Sequence, residues 1–164
     1  IPEYIINRPR YKTLNIHPSL LPKYRGPTPI HSAILSGDKE TGVSLMMIDA
    51  EMDHGPIIAK AVFKLPAGIF YQALNFNLAQ LGANLFLKVY PDWLKGKIKP
   101  AAQAHQDATY TKKIMKADGL IALADDPKEI DRKIRALTPW PRIYFLNTQV
   151  IQKYLFVYFH LLDL

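Results

Sequence analysis

The stretch TGVSLMMID, from Thr41 to Asp49, is apolar at successive positions and therefore on both faces of a strand. Such a strand belongs inside a sheet, so its neighbours in the chain must supply its covers. Upstream, YKTLNIH (Tyr11 to His17) reads as a short strand that stops at Pro18, which has no N–H to give a ladder. The two-residue period of a strand places Asn15 and His17 on the same face, so two polar side chains reach one strand end together. SLLPKYRGPTP follows as a loop stiffened by Pro22, Pro27 and Pro29. A helix then starts with Thr28 as N-cap and Pro29 in its first position, buries Ile30, Ala33 and Ile34, and stops at Gly37. Beyond Asp49, AEMDHG reads as a turn and PIIAKAVF (Pro56 to Phe63) as a returning, antiparallel strand.

Leu74, Leu78, Leu81, Leu85 and Val89 recur at helical spacing, which predicts a long helix ending near Pro91. KGKIKPAAQAHQDATYTKKIMKADG has no sustained period and reads as a linker to a second unit. There, Asp126-Pro127-Lys128-Glu129 has the form of an N-cap, an N1 proline and an N3 glutamate, and Ile130, Ile134 and Leu137 line one helical face. The tail, IYFLNTQVIQKYLFVYFHLLDL, reads as one or two strands of a small barrel; its uninterrupted apolar part is shorter than the ~20 residues needed to span a bilayer. The chain has no internal repeats.

Composition narrows the chemistry. Hydrophobic residues make up 49% of 164, enough to build a core, and there is no cysteine. Disulfides, thiolate metal sites and cysteine nucleophiles are therefore excluded, and a reducing compartment fits. Residues 1–94 carry 9 Lys/Arg against 7 Asp/Glu, while residues 95–164 carry 12 against 7, a net +5. Such a basic second half suits a polyanion, RNA foremost, and equally a solvated lysine-rich surface. The chain opens at Ile1 without a methionine, so a fragment is expected.

Asn15, His17 and Asp53, the last in the turn EMDHG, are the residues that stand out. Taken singly, each has an ordinary explanation: a satisfied histidine, a turn-forming aspartate. Together, in NIHPSLLPKYRGPTPIHSAILSGDKETGVSLMMIDAEMDHGPI, they resemble the catalytic signature of the 10-formyltetrahydrofolate-dependent formyltransferases, almost without gaps from Asn15 to Ile57. The resemblance implies an α/β fold: the carboxy-terminal half of a Rossmann-like catalytic domain over residues 1–98, a linker over 99–115, and the start of a small OB-like β-barrel over 116–164. The amino-terminal half of the catalytic domain is not expected in this sequence. ATYTKKIMKADG and IDRKIRALTPWP are similar to the linker and second domain of those members that formylate initiator methionyl-tRNA. At two points the chain departs from the family's glycine: Lys12 follows Tyr11, and Arg142 follows PWP. The family's IDW is Ile121-Ala122-Leu123 here.

The resemblance implies transfer of a formyl group from 10-formyltetrahydrofolate to the α-amino group of methionine on tRNA, without a metal. Asn15 and His17 would donate to the oxyanion, and Asp53 would fix the ring's tautomer and take the amine proton. Ile1, Pro2, Ser19, Leu20, Leu21, Pro22 and His54 are the expected folate contacts, although a loop-capping hydroxyl is the simpler reading of Ser19. Arg25, Lys112, Lys113, Lys116, Arg132, Lys133 and Arg135 are the expected tRNA contacts, with a solvated loop arginine as the alternative for Arg25. His31, His54, His105 and His160 fall in no recognised metal-ligand spacing. A monomer is expected, cytoplasmic in a bacterium or organellar in a eukaryote. Two other readings stay open: a formyltransferase acting on another amine, such as a nucleotide-linked amino sugar, and a catalytically silent RNA-binding remnant.

Overall fold

The computed structural model describes residues 2–122 and 124–145. Three strands form an antiparallel sheet in the order β1 (Leu14–His17), β2 (Glu40–Met47), β3 (Ile57–Lys64). Asn15 lies opposite Met46 and His17 opposite Ser44, so these four side chains share one face. Val43 and Leu45 point to the other.

Each face of β2 has its own cover. On the Val43 face lies α3 (Tyr71–Leu94), whose Leu74, Leu78 and Gly82 fall four residues apart and are buried. At Gly82 a side chain would meet Ile16 of β1 at 2.7 Å, so the missing Cβ is what lets helix and strand approach. On the opposite face lies the loop after β1. Leu21 donates its N–H to the Ser44 hydroxyl at 3.0 Å, and that hydroxyl donates to the Ser19 carbonyl at 2.7 Å. Leu20 packs over Gly42, where any Cβ would clash.

The helix α2 (Pro29–Leu35) begins at the expected proline and buries Ile30, Ala33 and Ile34. Gly37 ends it at φ +68, a left-handed conformation that costs glycine little. Thr28 does not cap it; its hydroxyl donates instead to the Lys112 carbonyl at 2.7 Å. A short helix α1 (Glu3–Ile6) precedes β1, and α4 (Pro127–Leu137) opens as expected, with Asp126 accepting from the Lys128 N–H at 2.7 Å. Ala136 and Leu137 of α4 enter one core cluster with Ile30, Ile34, Val43, Leu74 and Leu78. Each fully buried leucine in it contributes roughly 1.5–3 kcal/mol. Among the described residues no helix is long and apolar enough to cross a membrane.

Two expectations change. Helix α3 continues through Pro91 to Leu94. The proline deprives only the exposed last turn of a bond, and water can serve the Leu87 end, since Leu87 is itself exposed. The segment 99–111, read as a linker, is laid against the body. Ala101 exchanges two backbone hydrogen bonds with Ile57 at 2.8 and 2.9 Å, and Arg25 does the same with Thr109 and Thr111 at 2.8 and 2.7 Å. The barrel strands expected in the tail lie outside the described residues from Leu146 onward; before that, Tyr144 bridges Leu120.

Both departures from the family's glycine fall on left-handed backbone: Lys12 and Arg142 each have φ +66. A side chain there costs about 1 kcal/mol. Lys12→Gly and Arg142→Gly should therefore each raise stability by about that amount, read as an increase in the urea midpoint.

His31 of α2 stacks on Tyr71 of α3, ring centroids 4.2 Å apart. Burial holds its pKa below the usual histidine value, which makes the neutral ring the folded form. The unfolded chain then takes up the proton first as pH falls, so this group's share of stability is lost below about pH 6.5. Urea midpoints at several pH values should show His31→Phe losing stability less steeply on acidification than the parent.

Candidate active site

β1 carries His17 to the sheet's end, where the ring is 4% exposed. Its Nε2–H donates to the Tyr24 carbonyl at 2.9 Å. A carbonyl only accepts, so this bond sets the tautomer and leaves Nδ1 facing Asp53 Oδ1 at 3.6 Å. Asp53 stands in the turn between β2 and β3 with φ +50, a left-handed backbone that aspartate tolerates better than most residues. Its other oxygen, Oδ2, accepts the Gly26 N–H at 2.7 Å. A proton on Nδ1 would lie between the ring and a carboxylate that is itself held by a backbone amide.

Asn15 is half-buried on the same face, two residues up β1, and its amide has no hydrogen-bond partner among the described residues. The site therefore offers an uncommitted amide donor, a histidine whose tautomer is fixed, and a carboxylate beside it. Such a set suits stabilising an oxyanion while removing a proton from an attacking nucleophile.

The other expected contacts fall in different places. Ile1 lies outside the described residues, and Pro2 is exposed ahead of α1. Ser19 and Leu21 are both 0% exposed, because the loop uses them to cover β2. The Ser19 hydroxyl donates to the Lys23 carbonyl at 2.5 Å. Leu20 and Pro22 are half-buried, and the Lys60 ammonium donates to the Leu21 carbonyl. His54 pairs through Nδ1 with Asp49 at 2.7 Å and stacks on His105 with ring centroids 4.0 Å apart.

Arg25, expected at the tRNA, turns inward. It is 1% exposed, and its guanidinium donates to Gln103 Oε1 from Nε and Nη2, to His105 Nδ1 from Nη2 and to the Tyr110 hydroxyl from Nη1, at 2.7 to 3.2 Å. A side chain so occupied is not presented to an incoming phosphate. Of the other basic residues, Lys112, Lys113 and Lys116 are exposed. Lys133 donates to the Leu120 carbonyl at 3.1 Å, Arg135 pairs with Asp131 at 2.8 Å, and Arg132 reaches the Leu35 carbonyl at 3.4 Å.

Reading the sequence missed Gln103, Tyr110 and Ser44. The only available signal was indirect: an arginine among loop prolines, which if buried must find acceptors elsewhere. Arg25→Lys should cost roughly 3 kcal/mol, because a single ammonium cannot reach three acceptors spread around a planar fork. Urea unfolding would detect it; a solvated arginine would show no loss.

An α/β unit that sets Asn15 and His17 on one face of β1, with Asp53 of the next turn beside the histidine, has the form of a group-transfer site. The chain matches the formyl transferase family over residues 1–90, and the formyl transferase C-terminal domain over residues 113–158. It is 45% identical over 140 residues to the methionyl-tRNA formyltransferase of Chloroflexus aurantiacus, covering 85% of this chain and 45% of that protein. It is 44% identical over 144 residues to the one from a Sulfurihydrogenibium species, covering 88% and 46%. The chain thus spans about half the length of these curated relatives. Among solved structures, an N-formyltransferase from Helicobacter canadensis, bound to folinic acid and dTDP-3-aminofucose, superposes with a TM-score of 0.71 at 30% identity, over 76% of this chain and 47% of that one. A 4-N formyltransferase from Francisella tularensis reaches a TM-score of 0.77 over 91% and 62%, at 24% identity, and so attests the fold alone. The protein belongs to the formyl transferase family, with a Rossmann-like α/β fold.

Proposed function

We propose that these residues carry the reaction centre of an enzyme that moves a formyl group from N10 of 10-formyltetrahydrofolate to the α-amino group of methionyl-tRNA. The observation that carries this is the His17–Asp53 pair, with the Asn15 amide, unpartnered among the described residues, on the same face. The uncharged amine attacks the formyl carbon, and the carbonyl oxygen becomes an oxyanion. Asn15 donates to that oxygen from its amide. His17 has Nε2 committed to Tyr24, so Nδ1 is the ring nitrogen that serves the reaction. Asp53 takes the proton lost by the amine, directly or through water, and returns it to N10 as the carbonyl re-forms and the C–N10 bond breaks. Tyr24, rather than Asp53, sets the histidine tautomer.

The methionyl-tRNA acceptor is supported by relatives at 39–45% identity and by the second match over residues 113–158. On this reading the second matched region is an OB-like unit that helps hold tRNA, and the exposure of Lys112, Lys113 and Lys116 supports a role for them toward phosphates. An amino-sugar acceptor is the second reading, favoured by the likeness to the Helicobacter canadensis enzyme.

Formylation of methionyl-tRNA and of a nucleotide-linked amino sugar, assayed with the full-length enzyme that carries these residues, separates the two acceptors. Asn15→Ala should slow transfer by roughly 10²–10³-fold while tRNA affinity is kept. Transfer at the parent rate by that variant would remove Asn15 from the chemistry.

A further inference from the structure

The turn that carries Asp53 lies beyond the β2–β3 ladder, and one side chain from 50 residues away holds it. Gln103 is 6% exposed. Its Nε2 donates to the Asp53 carbonyl at 2.9 Å and to the Gly55 carbonyl at 2.8 Å. Its Oε1 accepts from Arg25 Nε at 3.2 Å and Nη2 at 2.7 Å. Both amide hydrogens and both oxygen lone pairs are used. The amide cannot be reversed either, because Arg25 only donates and the two carbonyls only accept.

We propose that Gln103 is a positioning residue for Asp53, an inference that rests on the formyl-transfer reading above. The loop at Arg25 supplies three contacts in succession. The Tyr24 carbonyl orients His17, the Arg25 guanidinium grips Gln103, and the Gly26 N–H holds Asp53 Oδ2. Gln103 closes this circuit by tying the backbone of Asp53 to the same arginine. The distance between the carboxylate and His17 Nδ1 is therefore set by a residue that reaches neither. Loss of its two donors should free the turn while leaving the sheet intact.

Gln103→Glu separates the two ends of the amide. It keeps the length and pairs with Arg25, but sets a carboxylate against two carbonyls and removes both donors. Gln103→Met is the neutral counterpart, with no hydrogen bond at either end, and is read alongside it in case the carboxylate prevents folding. The first readout is the Gly26 amide in the 164-residue protein, followed by NMR, since its proton bonds directly to Asp53. In both variants this resonance should move upfield and exchange with solvent at least tenfold faster, while the Val43 amide in β2 keeps its protection. The second readout is formyl transfer by the full-length enzyme carrying these residues, where kcat should fall roughly 10–100-fold with KM for both substrates within about twofold.

A Gly26 amide and kcat that stay unchanged would overturn the proposal. So would equal loosening of Gly26 and Val43, which would make Gln103 ordinary support for the fold. If the parent enzyme transfers no formyl group, the functional reading fails, while a selective change at Gly26 still shows that Gln103 places Asp53.

Discussion

A guanidinium is buried in this protein with no carboxylate against it among the described residues. Arg25 is 1% exposed, and its side-chain partners are the amide of Gln103, the ring of His105 and the hydroxyl of Tyr110, with the Tyr110 ring 5.7 Å from the charge. Removing a cation from water costs several kcal/mol, so the fold tolerates Arg25 only while these neutral acceptors stay in place. All three come from residues 103–110, which obliges that segment to lie across the loop after β1. The backbone obeys the same demand, since Arg25 also pairs with Thr109 and Thr111. The placement of Tyr24 and Gly26, and through them of His17 and Asp53, follows from that one desolvated charge.

The parts of the site that were legible in the sequence were those governed by local rules. A two-residue period placed Asn15 with His17, Pro18 ended the strand, and a cap-proline-glutamate run located α4. The resemblance marked Lys12 and Arg142 as departures, and the backbone explains why glycine suits both positions. The end of α3 misled because proline is costly inside a helix and far less so in an exposed final turn. Counting charges left something out: Arg132, Lys133 and Arg135 are basic, and each also reaches a partner within the protein. Charge is visible in a sequence, whereas whether it is already engaged is not.

Arg25 and Gln103 lay beyond reach for a related reason. Nothing periodic runs through residues 99–111, because the segment presents no continuous apolar face. It is held by backbone pairs and single polar contacts whose partners lie about 45 to 85 positions away. Ser44 was hidden differently: inside an apolar strand its hydroxyl looked incidental, yet it joins Leu21 and Ser19 and so seats the loop on the sheet.

That separation along the chain orders the events of folding. The β2–β3 connection spans nine residues, and α2 and α3 lie close by in sequence, so these elements meet through shorter-range contacts. The Arg25–Gln103 contact closes a loop of 78 residues, and contacts of that span are slow to form. A chain with its hairpin and helices in place but residues 99–111 not yet laid down holds Asn15, His17 and Asp53 without the Gln103 contacts that fix the backbone of Asp53. The order around Asp53 therefore waits on a contact that spans nearly half the chain, and a partly folded molecule lacks it.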